Sequence, residues 1–77
     1  MRPDEFRALL QSAPFRPLRV TLTDGRTYDI THPEFAMLGR SVVVIGIGDS
    51  ADRIADRMVT VSLLHVMQVE PIETVAA

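Results

Sequence analysis

The side chains of this 77-residue sequence that could do chemistry are two histidines, ten carboxylates and eight arginines. His32 and His65 are the only imidazoles, and Asp29, Glu34 or Asp56 could in principle serve them as acid–base or metal-binding partners. Proton transfer needs such groups within hydrogen-bond reach in one pocket, and zinc needs three or four ligands. The chain has no cysteine and no pair of histidines four residues apart. Neither a catalytic site nor a metal site is expected. His32, just before Pro33, reads as a turn residue whose ring bonds nearby backbone.

Two further patterns resolve the same way. Asp49, Asp52 and Asp56 do not have the alternate-position spacing or central glycine of a calcium loop, and the neighbouring Arg53 and Arg57 would repel a cation. They read as a solvated loop. Gly46-x-Gly48 follows a strand but lacks the third glycine and the helix of a dinucleotide site, so it is expected to ease strand curvature or mark a bulge. No cofactor motif remains. Arg16, Arg19, Arg26 and Arg40 could gather as a phosphate-binding patch near the first two strands. The formal net charge is −2, whereas nucleic-acid domains carry a basic excess. Dispersed solubilising charge is the reading this balance favours.

These residues need a scaffold, and the stretch Leu18-Arg19-Val20-Thr21-Leu22-Thr23-Asp24-Gly25-Arg26-Thr27-Tyr28-Asp29-Ile30 supplies its centre. Apolar and polar residues alternate on both sides of an Asp-Gly pair, a strong hairpin signal. A two-residue loop would set Leu22 opposite Thr27 and Val20 opposite Asp29, mixing core and solvent faces. A three-residue loop over Thr23-Asp24-Gly25 sets Val20 opposite Tyr28 and Leu18 opposite Ile30. Register follows the buried face, which predicts a type I turn closed by a bulge, with Gly25 in the left-handed region.

Around this hairpin, residues 3–12 read as a short helix. Pro3 suits its first position, Asp4 and Glu5 complement its dipole, and Phe6, Leu9, Leu10 and Ala13 form one stripe. Pro14-Phe15-Arg16-Pro17 leads extended chain into the first strand, with Phe15 plugging one end of the core. Alternation fails at Thr31-His32-Pro33-Glu34-Phe35, where either a bent edge or one helical turn over 33–37 fits. A third strand spans 42–47, with β-branched density suggesting burial on both faces. Residues 48–57 read as a mobile hairpin connection. The fourth strand covers 58–61, Ser62-Leu63-Leu64-His65 turns tightly, and the fifth covers 66–70 until Pro71 stops it. Leu9, Leu10, Val20, Leu22, Tyr28, Val44 and Val61 are expected to share one core.

The fold class expected is mainly β: a short N-terminal helix followed by a five-stranded, strongly bent antiparallel sheet. It forms one domain over 1–77, with the barrel over 18–72. SH3-like and OB-like barrels are the general alternatives. Hydrophobic residues make up 47% of the chain, too many for disorder. The longest apolar run, Val42-Val43-Val44-Ile45-Gly46-Ile47, is far short of the roughly 20 residues of a membrane span, and no apolar signal core follows Arg2-Pro3-Asp4-Glu5. A cytoplasmic protein with no membrane contact is expected.

Two resemblances add to this. Pro14-Phe15-Arg16-Pro17, Leu22-x-Asp24-Gly25-Arg26, His32-Pro33-Glu34-Phe35 and a closing apolar strand ending in acid resemble a family of small, functionally uncharacterised bacterial proteins, which implies no activity. The order of elements resembles the Sm-like fold, which includes the bacterial Hfq-like proteins. That resemblance implies a ring, closed by pairing the fourth strand of one subunit with the fifth of the next, that binds RNA. In it, Val61-Ser62-Leu63-Leu64-His65-Val66 takes the place of the second Sm motif. Ser62-Leu63 stands where archaeal and eukaryotic members have Arg-Gly. The Lys-His of the Hfq-like proteins falls on Leu63-Leu64, with His65 one place further on. The first motif's aspartate and asparagine have no clear counterpart between Thr31 and Arg40.

The reading that follows is a non-enzymatic small barrel that acts through protein–protein contact, including contact with itself. A small core without staples gains from subunit contacts, and uncovered strand edges at 58–61 and 66–69 invite pairing. The alternative is an Sm-like, Hfq-like RNA-binding ring, whose nucleic-acid contacts would be Arg19, Arg26, Arg40 and His65.

Overall fold

In a computed structural model, which describes residues 1–48, 52 and 54–72, the alternating stretch forms the expected hairpin. Strands β1 (Leu18–Leu22) and β2 (Thr27–Ile30) pair antiparallel, with Leu18 opposite Ile30 and Val20 opposite Tyr28. The Gly25 N–H donates to the Leu22 carbonyl at 2.9 Å, and the Leu22 N–H donates to the Arg26 carbonyl at 2.8 Å. Those two bonds enclose a three-residue loop. Gly25 sits at φ +91°, the left-handed conformation that a bulge of this kind requires.

The main departure from the expectation lies in how the strands group into sheets. A single five-stranded sheet was expected; the described residues form six strands in two three-stranded antiparallel sheets, ordered β2-β1-β6 and β3-β4-β5, and no closed barrel. The break falls where Pro33 cannot donate to a ladder. There the chain leaves β2, makes a 3-10 turn over Pro33–Phe35 and begins the second sheet with β3 (Ala36–Leu38). That strand is an unbroken apolar triplet, too short to show alternation. Strands β4 (Val42–Ile47) and β5 (Arg57–Ser62) complete this sheet. A second 3-10 turn over Leu63–His65 then carries the chain back, as β6 (Val66–Pro71), to the outer side of β1. Of the expected connection over 48–57, residues 49–51 and 53 lie outside the described residues.

Helix α1 spans Pro3–Leu10, two residues shorter than expected. Ser12, just past its end, donates its hydroxyl to the Leu9 carbonyl at 2.9 Å, taking up one of the acceptors that a helix end leaves open. Phe6 is fully buried, and Leu9, Leu10 and Phe15 pack half-buried against the same core. Phe6, Leu18, Val20, Ile30, Val43 and Ile45 are the largest fully buried side chains. Burying such a side chain stabilises by about 1.5–3 kcal/mol.

Val44 is not among them. Val43 and Ile45 face the core, and Val44 faces outward opposite Met37 and Thr60. The run from Val42 to Ile47 is apolar at nearly every position, so its sequence carries no phase. Burial on both faces is also incomplete, because Val42 and Val44 are only half-buried. Gly46 marks no bulge, since the β4–β5 ladder runs through it without a shift. It allows a close approach instead: a Cβ there would stand 3.1 Å from the Ala55 Cβ and 3.7 Å from the Phe35 ring. No helix among the described residues is long and apolar enough to cross a membrane.

Candidate functional site

The β1–β2 hairpin and strand β5 face each other across a groove. One wall is the free edge of β5, Val59, Thr60, Val61 and Ser62. The other is the β1–β2 hairpin, through Leu22, Asp24, Arg26 and Tyr28, and the groove encloses about 460 Å³. His65 also lines it. Local bonds fix each part. The Thr23 N–H donates to the His65 carbonyl at 2.9 Å, tying the hairpin tip to the second 3-10 turn. Ser62 caps that turn by accepting the Leu64 N–H at 3.3 Å.

The electrostatics of the groove are local. Asp24 accepts the Arg26 N–H at 3.0 Å and its Nε–H at 2.7 Å. The backbone bond, followed by the side-chain bond, holds the Asp24 carboxyl below the ordinary carboxylate range. The Arg26 guanidinium is raised in turn by its bond to Asp24 and then by the Tyr28 hydroxyl. Its charge is therefore largely answered within the hairpin.

The β5 edge is not answered in this way. Antiparallel ladders alternate between residues that bond inward and residues that bond outward. The Leu63 N–H donates to the Ser41 carbonyl at 2.9 Å, in line with the register that pairs Val43 with Val61 and Ile45 with Val59. That bond sets the phase. Val59 and Val61 bond to β4, and Met58 and Thr60 direct their N–H and C=O away from it. The same reasoning applies to β6, where the Ile72 N–H donates to the Pro17 carbonyl at 2.8 Å. Gln68 and Glu70 then bond to β1, and Val69 and Pro71 face outward. A register shift between Thr21 and Leu22 leaves Met67 as a bulge at the other end of the strand.

No family model, curated protein or solved structure matches this chain.

The four nucleic-acid candidates are not brought to one surface. Arg26 and His65 line the β5 groove together. Arg19 lies on the outer face of the first sheet, bonded to Asp29 at 3.0 and 3.2 Å. That bond raises its guanidinium, with a smaller contribution from Glu70, which stands opposite it on β6. Arg40 is exposed in the β3–β4 turn and lines a different groove with Asp4 and Arg7 of the helix. Arg16 is exposed ahead of β1. Placing Arg7 beside Arg40 requires knowing that β3 exists, which the sequence does not signal. His32 sets its ring edge-on to Phe35, 5.8 Å between centroids at 81°, in place of the expected bond to backbone. Among the described residues no cluster of three His, Cys, Asp or Glu could hold a metal ion.

Proposed function

We propose that the chain is a non-enzymatic interaction module, its two three-stranded sheets arranged in the Sm-like or SH3-like manner without closing into a barrel, that assembles with copies of itself through the edges of β5 and β6. One observation carries this reading. Both strands are the outermost of their sheets, and the outward N–H and C=O groups of Met58, Thr60 and Val69 have no partner among the described residues. Such an edge is a template for another strand. No Lys or Pro interrupts β5, and the groove beside it leaves room for added chain. Two different edges pairing head to tail must close into a ring or run on as a fibre, and the Sm-like order of elements favours closure. A domain this small, with no cysteine to form a disulfide, also gains stability from such contacts.

The test is solution mass by light scattering over a range of concentrations, with Thr60→Pro beside the unmodified chain. The unmodified chain is expected at a multiple of 8.6 kDa. Thr60→Pro, which removes one outward N–H, is expected to dissociate it. A strictly monomeric mass at high micromolar concentration overturns the proposal.

The second reading, an RNA-binding ring, draws on Arg26 and His65 sharing the groove with Tyr28. Binding to short uridine- or adenine-rich RNA should then weaken steeply with salt and with Arg26→Ala. The absence of binding at low salt ends this reading, and that is the result expected.

A further inference from the structure

We infer that the edge pairing is directional because Glu70 of one copy meets Arg57 of the next. This rests on the proposed edge pairing and adds its register and its charge contact. Each edge offers a limited set of free backbone groups. On β6 only Val69 presents both an outward N–H and an outward C=O on regular strand, because Pro71 has no N–H and Met67 sits in the bulge. On β5 the outward residues are Met58 and Thr60, since Ser62 already leads into the capped turn. Val69 therefore has two places to dock in an antiparallel pairing, opposite Thr60 or opposite Met58.

Side-chain alternation then fixes which residues meet. Opposed residues of an antiparallel pair point to the same face. Val69 shares a face with Met58 and Thr60, so Glu70 falls on the other face, with Arg57, Val59 and Val61. If Val69 stands opposite Met58, Glu70 stands directly opposite Arg57. If it stands opposite Thr60, Glu70 stands opposite Val59, with Arg57 as its diagonal neighbour. A long Arg side chain reaches across either spacing. Both placements make the same contact.

The charges on the two edges are complementary. In the outer row of the first sheet, Arg19 lies between Asp29 and Glu70, and Asp29 takes both of its side-chain bonds. That row carries two carboxylates to one guanidinium, and its excess negative charge lies at the β6 edge. Arg57 opens β5, is exposed, and has no ion pair among the described residues. Each copy carries one of these groups on each of its two edges. The contact thus repeats from subunit to subunit, as a head-to-tail assembly requires.

The test is a charge swap followed by sedimentation velocity across a dilution series at low salt. Arg57→Glu and Glu70→Arg should each raise the concentration of half-assembly by roughly tenfold. The double variant R57E/E70R should return to within about threefold of the unmodified chain. Because E70R also sets a second cation beside Arg19, Glu70→Gln is run in parallel, and urea unfolding of every variant shows which ones fold. E70Q should weaken assembly less than E70R and remove most of its salt dependence. If the unmodified chain assembles but the single variants match it, or the double variant is no better than the singles, the Glu70–Arg57 contact is overturned and edge pairing stands. If the unmodified chain is monomeric, both are overturned.

Discussion

The two sheets of this chain bury their inner faces alike and treat their outer faces in opposite ways. Outside β2-β1-β6, the strands present Thr21, Thr27, Gln68 and the row Asp29, Arg19, Glu70. Outside β3-β4-β5 they present Met37, Val42, Val44, Met58 and Thr60. Met37 is 70% exposed and Met58 67%. They border a groove of about 350 Å³ with Phe35, Val44 and Ala55. The first face is finished for water. The second resembles a surface that expects cover, and the proposed pairing supplies part of it, because Val69 and Pro71 of the adjoining copy fall on the side of Met58 and Thr60.

The sharpest way to break this contrast is to mutate neighbours on β4. Ile45 is fully buried, so Ile45→Ala should cost about 2–5 kcal/mol in urea unfolding. Val44, one residue away on the outward face, should tolerate Val44→Thr at a cost below about 1 kcal/mol. Equal costs would mean that the assigned phase of β4 is wrong. A smaller effect tests the first sheet alone. Gly25→Ala should destabilise by about 1 kcal/mol, and entirely through backbone conformation, since a Cβ there meets nothing within 4 Å. Assembly of the folded fraction should be unchanged, because the β5 edge is untouched.

The smallest effect separates the faces by pH. The Asp24 carboxyl is held below its ordinary value of 3.8, so ionised Asp24 favours the folded state. Its contribution is fully present above the unfolded value and is lost as pH falls below 3.8 through the lowered folded value. A pH series of thermal melts should show a slope below that point that is reduced in Asp24→Asn. No carboxylate lies among the outward strand residues of the second sheet, so that face adds nothing to the slope.

The same contrast explains what could be read from the sequence. The first sheet was legible because it has a wet face: polar residues at alternate positions, with Asp24-Gly25 between the two runs, fix period, loop length and register together. The second sheet was not. Val42 to Ile47 is recognisable as a strand, but with no polar position it gives no indication of which side faces inward, and Val44 is misplaced for that reason. Ala36–Leu38 is too short and too uniformly apolar to register as a strand at all. The groove was beyond reach for a different reason. Arg26 and His65 are far apart in sequence, and the pairing of Leu22 with Val66 and the bond from Thr23 to the His65 carbonyl bring them to one place. In sequence Arg57 reads as part of a solvated loop, and its position at the head of an edge strand depends on where β5 begins.

Amide hydrogen exchange, residue by residue, at low and high protein concentration is the most direct test of the claim that β5 and β6 pair between copies. Val59 and Val61 should be protected at every concentration, because their N–H groups bond to β4. Met58, Thr60 and Val69 should exchange freely in dilute solution, and Val69 together with the residue it docks on, Met58 or Thr60, should become protected as concentration rises. If Met58, Thr60 and Val69 exchange at one fast rate across the whole range, the edges do not pair and the account is wrong.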